Sequence, residues 1–120
     1  MNMAIEPVRG EVWLADLEPT RGDEIRKTRP VVILNDNAVG RLKLRIIVPI
    51  TQWDDQFYSF PWMVRLDATS ENGLSKVSAA DAFQVRSVSL QRLKSKIGVL
   101  SDETIQEVAD AVTLCIGNSS

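Results

Sequence analysis

The sequence predicts a small, mainly β domain in which five to seven mostly antiparallel strands curl into a barrel and one helix follows at the C-terminus. Several short runs of β-branched or alternating apolar residues succeed one another, and loops rich in turn-forming residues separate them. No helical periodicity intervenes between these runs, which favours consecutive antiparallel strands. The 120 residues contain neither a repeat nor a linker, so we expect a single domain over residues 1–120.

The first third of the chain contains two runs that are typical of strands. Glu11–Asp16 alternates apolar and polar residues, which predicts a half-buried strand. Val31–Leu34 is continuously apolar, as in a buried central strand, and Pro30 takes the first position, where a missing N–H does least harm. The charged segment 17–29 lies between them, and we expect it to be a long loop of the kind that carries function.

The middle of the chain continues the β pattern. Leu44–Ile50 predicts a second buried strand, and Pro49 indicates a bulge or an edge near its end. Thr51–Pro61 is a polar and aromatic loop, and Trp62–Leu66 alternates as a strand. The later expected elements are a turn at Asp67–Gly73, strands at Val77–Ala82 and Gln84–Val88, a single helical turn at Ser89–Leu93 and a short strand at Ile97–Leu100.

The C-terminal segment predicts an amphipathic helix. Ser101 is a favourable N-cap, two acids follow it in the first turn, and Gly117 ends the helix. One apolar stripe with helical spacing comprises Ile105, Val108, Ala109, Val112, Cys115 and Ile116. Because the only cysteine of the chain lies on this stripe, we interpret Cys115 as a small core residue and not as a catalytic thiol.

The composition restricts the chemistry. One cysteine and no histidine exclude an internal disulfide and a Cys-rich metal site, and they remove the commonest general base. We therefore expect neither a metal nor another cofactor. No apolar run approaches the roughly 20 residues of a membrane-spanning helix. The first residues lack the basic and then apolar pattern of a secretory signal, so we expect a cytoplasmic protein that does not contact a membrane.

The net charge of −2 hides a marked asymmetry. Residues 21–45 have a net charge of +4, which leaves −6 for the remainder, and this indicates one basic face suited to phosphate. A solvated loop rich in Arg and Lys accounts for the composition equally well. The seven basic residues of the segment are Arg21, Arg26, Lys27, Arg29, Arg41, Lys43 and Arg45, and its three acids are Asp23, Glu24 and Asp36.

The most specific stretch is Arg9–Asn35, which reads RGEVWLADLEPTRGDEIRKTRPVVILN. It resembles the amino-terminal signature of the MazF/PemK/Kid toxin endoribonucleases: an RG-[DE]-[IV]-[WY] strand, a [DN]-[FL]-x-P-x-x-G turn, a loop with an acid, and R-P-V-[VL]-[IV]. Leu44–Thr51 is similar to the family's third strand, which ends in threonine. DAFQVRSVSLQRL at Asp81–Leu93 and IGVLSDETIQEV near the C-terminus are also similar to family segments, so that the resemblance covers about residues 9–116.

The resemblance implies an SH3-like barrel of the CcdB/PemK type, a homodimer, and metal-independent, sequence-specific cleavage of single-stranded RNA. The implied products carry a 2′,3′-cyclic phosphate and a 5′-hydroxyl, and a cognate MazE-like antitoxin neutralises the toxin. The implied catalytic pair is Arg29, before the proline of the second strand, and Thr51, at the end of the third. Glu24 matches the loop acid of the family.

The residue types fit this chemistry on their own account. Attack by the 2′-hydroxyl of RNA on the adjacent phosphorus needs alignment, charge stabilisation and proton transfer. The guanidinium fork of arginine suits a phosphate, and a threonine hydroxyl adds a neutral donor. Because an arginine pKa above about 12 makes a poor base, we assign Arg29 the roles of electrostatic clamp and of acid towards the leaving oxygen. Glu24 is the candidate base.

Other candidate RNA contacts have equally plausible structural alternatives. Aromatic residues follow Thr51 and either stack bases or anchor a loop or a dimer; they are Trp53, Phe57, Tyr58 and Phe60. Gln84 and Arg86 either face the RNA or are ordinary strand-surface residues. Arg26, Lys27 and Ser78 complete the set of expected RNA contacts. An acidic, partly apolar antitoxin tail is expected to compete with RNA for the groove that the basic segment and the aromatic loop flank.

Two departures from the family pattern prevent a prediction of the cleavage sequence. The first loop reads Gly22-Asp23-Glu24-Ile25 where many relatives read G-S-E-Q, and Ala82 and Phe83 stand between Asp81 and Gln84. The main alternative function is that of the CcdB-like gyrase inhibitors, which share the barrel, the dimer and the helix but are not nucleases. A catalytically inactive RNA-binding relative is a third interpretation. An arginine and a threonine set in the nuclease signature favour the endoribonuclease.

Overall fold

A computed structural model describes residues 6–18, 22, 28–39 and 43–117. The described residues form seven strands followed by one α-helix, α1, at Asp102–Cys115. Short 3-10 turns occur at Asp55–Ser59, Ala82–Gln84 and Leu90–Arg92. The strands are β1 at Glu11–Asp16, β2 at Thr28–Ile33, β3 at Leu44–Gln52, β4 at Met63–Leu66, β5 at Ser78–Asp81, β6 at Arg86–Ser89 and β7 at Leu93–Val99.

All strand pairings are antiparallel, and the sheet runs in the order β4-β5-β3-β2-β1-β7, with β6 as a further partner of β3. The expected mainly β fold with a C-terminal helix is confirmed. The path of paired strands is open and not a closed barrel, because it ends at β4 and β7. These two ends approach each other through the loop after β4, where the Val99 N–H donates to the Glu71 carbonyl at 2.8 Å.

β3 is the longest strand, and it changes partner along its length. Leu44–Ile47 pairs with β6, whereas Ile50–Gln52 pairs with β5. Pro49 lies between these two ladders and faces Val31 of β2 on its other side. The expectation that Pro49 marks a bulge or an edge was therefore wrong. A proline is tolerated in this central strand because it lies where one neighbour ends and the next begins.

β1 is buried on both faces, whereas the alternation of its sequence predicted a half-buried strand. Val12 and Ala15 are fully buried on opposite faces, and Trp13 is only 5% exposed. The indole Nε1 of Trp13 donates to the Glu11 carboxylate at 3.0 Å, which satisfies its polar group. Burial on the second face comes from tertiary packing, since Trp13 belongs to a cluster with Leu17, Val31, Ile33, Ile47, Val88 and Leu93.

The other face of the sheet packs against α1. Val12, Val32, Val48 and Ile50 meet the helix residues Ile105, Val108 and Ala111 in one core cluster. The Ser101 hydroxyl caps the helix by accepting from the Thr104 N–H at 3.2 Å, and Gly117 ends it at φ 85°, so both ends of the expected helix are confirmed.

Two residues at the end of the helix differ in burial. Cys115 packs against the core cluster, where burial and then the charge of Asp81 raise the pKa of its thiol. A thiol that stays protonated against the core agrees with a structural role. Ile116, in contrast, was expected on the apolar stripe but is 72% exposed.

The remaining sequence predictions differ from the structure mainly at strand ends. β2 begins at Thr28, so Pro30 lies inside the strand opposite Leu14 of β1 and not at its first position. The pairing with β3 begins only at Val31. On that side of β2, Pro30 therefore has no partner strand to which an N–H would have to donate. The single turn capped by Ser89 is confirmed. No helix in the described part of the chain has the length and apolarity to cross a membrane.

Candidate active-site cleft

An open cleft of about 270 Å³ lies where β2 and β3 part. The ladder between these strands runs from Ile33 and Ile47 to Val31 and Pro49 and stops there. The same register, continued by two residues, sets Arg29 opposite Thr51. The strand residues that line the cleft are Leu14, Arg29, Pro30, Ile50, Thr51, Gln52, Ser78 and Ile97, and the turn before β5 adds Gly73, Leu74, Ser75 and Lys76.

Arg29 and Thr51 are held by strands on their outer sides. Arg29 pairs with Ala15 of β1, and Thr51 pairs with Ala79 of β5. Both side chains are half-buried and line the cleft. Two residues that are distant in the sequence thus line the same cleft because β2 and β3 are antiparallel neighbours, and each pairs only with the strand on its outer side.

A second wall of the cleft is the turn before β5. Asn72, which is 6% exposed, stabilises this turn through its side-chain hydrogen bonds. Its side-chain amide donates to the Asp67 carbonyl at 2.7 Å, and its Oδ1 accepts from the Leu74 N–H at 2.9 Å. Gly73 has a φ of 70°, and a Cβ there would lie 2.0 Å from the carbonyl oxygen of Ile97. The turn is therefore seated directly on β7, which gives the cleft a firm second wall.

Three polar residues of the cleft were not predicted from the sequence: Gln52, Ser75 and Lys76. The Lys76 Nζ donates to the Gln52 Oε1 at 3.2 Å, and both side chains are exposed. Ser78 was an expected RNA contact; it lines the cleft but is 5% exposed, and its hydroxyl donates to the Lys76 carbonyl at 2.9 Å. In this structure the serine hydroxyl thus fixes the turn that carries Lys76.

The aromatic residues after Thr51 form a row of ring contacts that begins beside the cleft. Trp53 contacts Phe57 and Tyr58 at centroid distances of 5.6 and 4.8 Å, and the Arg65 guanidinium lies 5.6 Å from the Trp53 ring. The row then continues through Phe60, Trp62 and Phe83, with neighbouring centroids 5.0 to 6.1 Å apart. Trp53 is not among the residues lining the cleft. Its backbone N–H donates to the carbonyl of Val77 at 3.1 Å, and Val77 directly follows Lys76.

Gln84 and Arg86 lie away from the cleft. Gln84 ends the 3-10 turn after β5, and its amide donates to the Asp81 carboxylate at 3.2 Å. Burial raises the pKa of Asp81, although the Phe83 N–H and Gln84 donate to it. Arg86 pairs with Ile47 in the ladder between β6 and β3. The structure therefore brings Arg29, Thr51 and Ser78 together, and it does not add Gln84 or Arg86 to that group.

The structure describes only part of the basic segment 21–45, so the expected basic face is tested only for those residues. Glu24, Arg26 and Lys27 lie outside the described residues. Arg45 does not contribute to a basic surface, because it is 7% exposed and its Nε donates to the Pro7 carbonyl at 2.9 Å. Among the described basic residues of this segment, Arg29 lines the cleft.

The groups around the cleft suit an anion. A guanidinium, an ammonium, a threonine hydroxyl and an amide line it, and none of its described lining residues carries a carboxylate. Such a set of donors can hold and stabilise a phosphate. Over the part of the chain that the structure describes, no three acidic or cysteine side chains come together in a group that could hold a metal ion.

Comparisons with known proteins show the family to which the chain belongs. Residues 8–116 match the family model described as PemK-like, MazF-like toxin of type II toxin–antitoxin system. The chain is 33% identical over 112 residues to endoribonuclease MazF9 of Mycobacterium tuberculosis, covering 88% of this chain and 92% of the relative. It is 33% identical over 109 residues to endoribonuclease MazF of Staphylococcus saprophyticus, covering 91% and 90%.

Solved structures share the fold. MazF from Deinococcus radiodurans superposes with a TM-score of 0.80 at 23% identity, covering 95% of this chain and 99% of that one. A mycobacterial endoribonuclease in complex with its cognate antitoxin superposes with a TM-score of 0.74 at 19% identity, covering 96% and 99%.

Proposed function

The chain belongs to the PemK-like, MazF-like toxins of type II toxin–antitoxin systems, and from that premise we propose that Arg29 and Thr51 form the catalytic pair of an RNA-cleaving cleft. The protein is a toxin endoribonuclease, as its relatives are. The observation that carries the site assignment is the parting of β2 and β3, beyond which both residues line one open cleft.

In the proposed reaction the RNA supplies its own nucleophile. The 2′-hydroxyl loses its proton and its oxygen bonds to the adjacent phosphorus, while the bond from phosphorus to the 5′-oxygen breaks and that oxygen gains a proton. The products are a 2′,3′-cyclic phosphate and a 5′-hydroxyl. This step requires no metal-bound water, because the attacking oxygen is already attached to the substrate.

The roles of the pair follow from their chemistry. The Arg29 guanidinium binds the phosphoryl oxygens, on which negative charge grows in the transition state, and we assign it the donation of a proton to the leaving oxygen. The Thr51 hydroxyl donates to a further phosphoryl oxygen. A preorganised donor of this kind commonly contributes about 3 kcal/mol to transition-state stabilisation. Glu24 remains the candidate base, and its position lies outside the described residues.

The substrate class we propose is single-stranded RNA. Base edges in an A-form duplex lie in a deep, narrow groove, whereas an unpaired strand can enter an open cleft and stack its bases on aromatic rings. Trp53 and the exposed Tyr58 are the rings best placed for such stacking. Arg26, Lys27, Ser78, Gln84 and Arg86 remain predicted RNA contacts.

The assembly we propose follows the family. Residues 1–120 form a single toxin domain that acts as a homodimer in the cytoplasm, and a MazE-like antitoxin neutralises it. Relatives crystallised as an endoribonuclease with its cognate antitoxin and as MazE–MazF support that partner class. Gyrase inhibition of the CcdB type has no specific support, because gripping a protein surface requires no cleft lined with phosphate donors.

The proposal is tested by incubating the purified protein with mixed-sequence RNA in excess EDTA and mapping the new ends. We expect cuts at a short recurrent motif, each leaving a cyclic phosphate and a 5′-hydroxyl. Dependence on added Mg²⁺, or 5′-phosphate ends, would contradict the mechanism. Absence of any cleavage by a folded wild-type protein would contradict the activity itself.

A further inference from the structure

The cleft contains a second cation that the proposed reaction does not use. Lys76 lies in the turn that leads into β5, and its ammonium reaches across to the Gln52 side chain at 3.2 Å. Gln52 directly follows Thr51 and pairs with Ser78 in the ladder between β3 and β5. The ammonium therefore lies at the end of β3 that carries the proposed catalytic threonine, and both residues line the same cleft.

The two cations lie on opposite sides of Thr51. Arg29 belongs to β2, which pairs with one edge of β3, whereas Lys76 belongs to the turn before β5, which pairs with the other edge. Paired strands lie about 4.8 Å apart and β2 and β3 have parted at this point, so the backbones that carry the two cations are separated by roughly 10 Å or more. One phosphate held between Arg29 and Thr51 leaves Lys76 available to the next phosphate along the strand.

The turn that carries Lys76 is unusually well fixed for an exposed segment. The Ser78 hydroxyl donates to the carbonyl of Lys76, and the backbone N–H of Trp53 donates to the carbonyl of Val77. Earlier in the turn, the Asn72 side chain accepts from the Leu74 N–H. A flexible lysine on a rigid turn loses less freedom when it binds than one on a mobile loop. Gln52 adds a partner that holds the ammonium within the cleft.

We propose that Lys76 binds the RNA phosphate adjacent to the one that is cut, and that Gln52 positions its ammonium. This inference rests on the proposed function of the cleft. A contact with the neighbouring phosphate is made equally in the ground state and the transition state, so it lowers KM and leaves kcat unchanged. It also adds one released counterion to binding, which steepens the dependence of affinity on salt.

The test compares Lys76→Gln with Lys94→Gln, using an oligonucleotide that contains a mapped cleavage site. Lys94 is the matched control, because it is an exposed lysine whose Nζ donates to the Gln91 carbonyl at 3.0 Å and it does not line the cleft. For Lys76→Gln we expect KM to rise about three- to tenfold with kcat within twofold, and Lys76→Arg to restore most of the KM. For Gln52→Ala we expect a smaller rise in KM.

Two further readouts separate a phosphate contact from a merely structural role. With an uncleavable RNA, the plot of log Kd against log salt should lose about 0.7 of its slope in Lys76→Gln and none in Lys94→Gln. An uncharged methylphosphonate at one phosphate flanking the cut should weaken wild-type binding and leave Lys76→Gln unaffected.

The outcomes distinguish this inference from the function on which it rests. Wild-type cleavage combined with identical behaviour of Lys76→Gln and Lys94→Gln would overturn the role of Lys76 alone. A loss of kcat instead of a rise in KM would move Lys76 to the scissile phosphate and overturn the inference as stated. A folded wild-type protein that cuts no RNA would overturn the proposed function first.

Discussion

The two ends of β3 place an arginine in opposite situations. At the first end, β3 pairs with β6, and Arg45 is buried there with its guanidinium donating to the carbonyls of Pro7 and Leu44. At the second end, the ladder with β2 has stopped, and Arg29 lines an open cleft with Thr51. The same charged group is thus buried and bonded to backbone carbonyls at one end of β3, whereas it lines an open cleft at the other.

The comparison predicts that the two arginines contribute to different quantities. Arg29→Ala should lower kcat/KM by about 100-fold or more, because it removes a charged donor aimed at the phosphoryl oxygens. The melting temperature should change by no more than about 2 °C. The measurement is steady-state cleavage of an oligonucleotide alongside thermal unfolding, and full activity in a folded Arg29→Ala protein would refute the site assignment.

Thr51→Ala should have the next largest effect on activity. It removes a neutral donor, so we expect kcat to fall about tenfold or more while the fold is kept. Thr51→Ser retains the hydroxyl and should recover most of the rate. A suitable control is Thr113→Ala, since Thr113 lies on the helix and donates to the Ala109 carbonyl at 2.9 Å. Equal rates for Thr51→Ala and Thr113→Ala would show that the strand end is only structural.

Arg45→Ala should show the reverse pattern, with the smallest effect on turnover. It leaves the buried carbonyl of Pro7 without this donor and removes a buried side chain, so we expect the free energy of unfolding to fall by about 2–4 kcal/mol. The kcat of the fraction that remains folded should stay within about twofold of wild type at a temperature well below the transition. If Arg45→Ala reduced kcat as strongly as Arg29→Ala, the distinction between the two ends of β3 would be lost.

Much of the fold could be predicted from local pattern. Periodicity placed β1 at its observed bounds, and the Ser101 cap and Gly117 bracketed the helix. Local sequence pattern could not show which faces of a strand are buried by other elements. Trp13 alternates as an exposed residue would, yet tertiary packing buries it. Pro49 resembles an edge signal, yet it marks a change of partner within a central strand.

The candidate site was only partly accessible from the sequence. Arg29 and Thr51 came from family resemblance, and their meeting depends on a register that the sequence does not state. Gln52 and Lys76 carry no motif, because one is a strand-end amide and the other a lysine in a turn. Their positions in the sequence offered one indication. Gln52 directly follows the candidate threonine, and Lys76 lies just before β5, the strand that pairs with the end of β3 where that threonine lies.

The central claim is that the substrate's own 2′-hydroxyl attacks the phosphorus in the cleft between Arg29 and Thr51. The most direct measurement uses an RNA oligonucleotide with a single 2′-deoxy nucleotide on the 5′ side of a mapped cut, in excess EDTA. We expect binding to stay within about threefold of the all-RNA substrate, since one hydroxyl contributes little to affinity. Cleavage at that position should be abolished. Continued cutting there would show that water attacks instead, and it would contradict the mechanism.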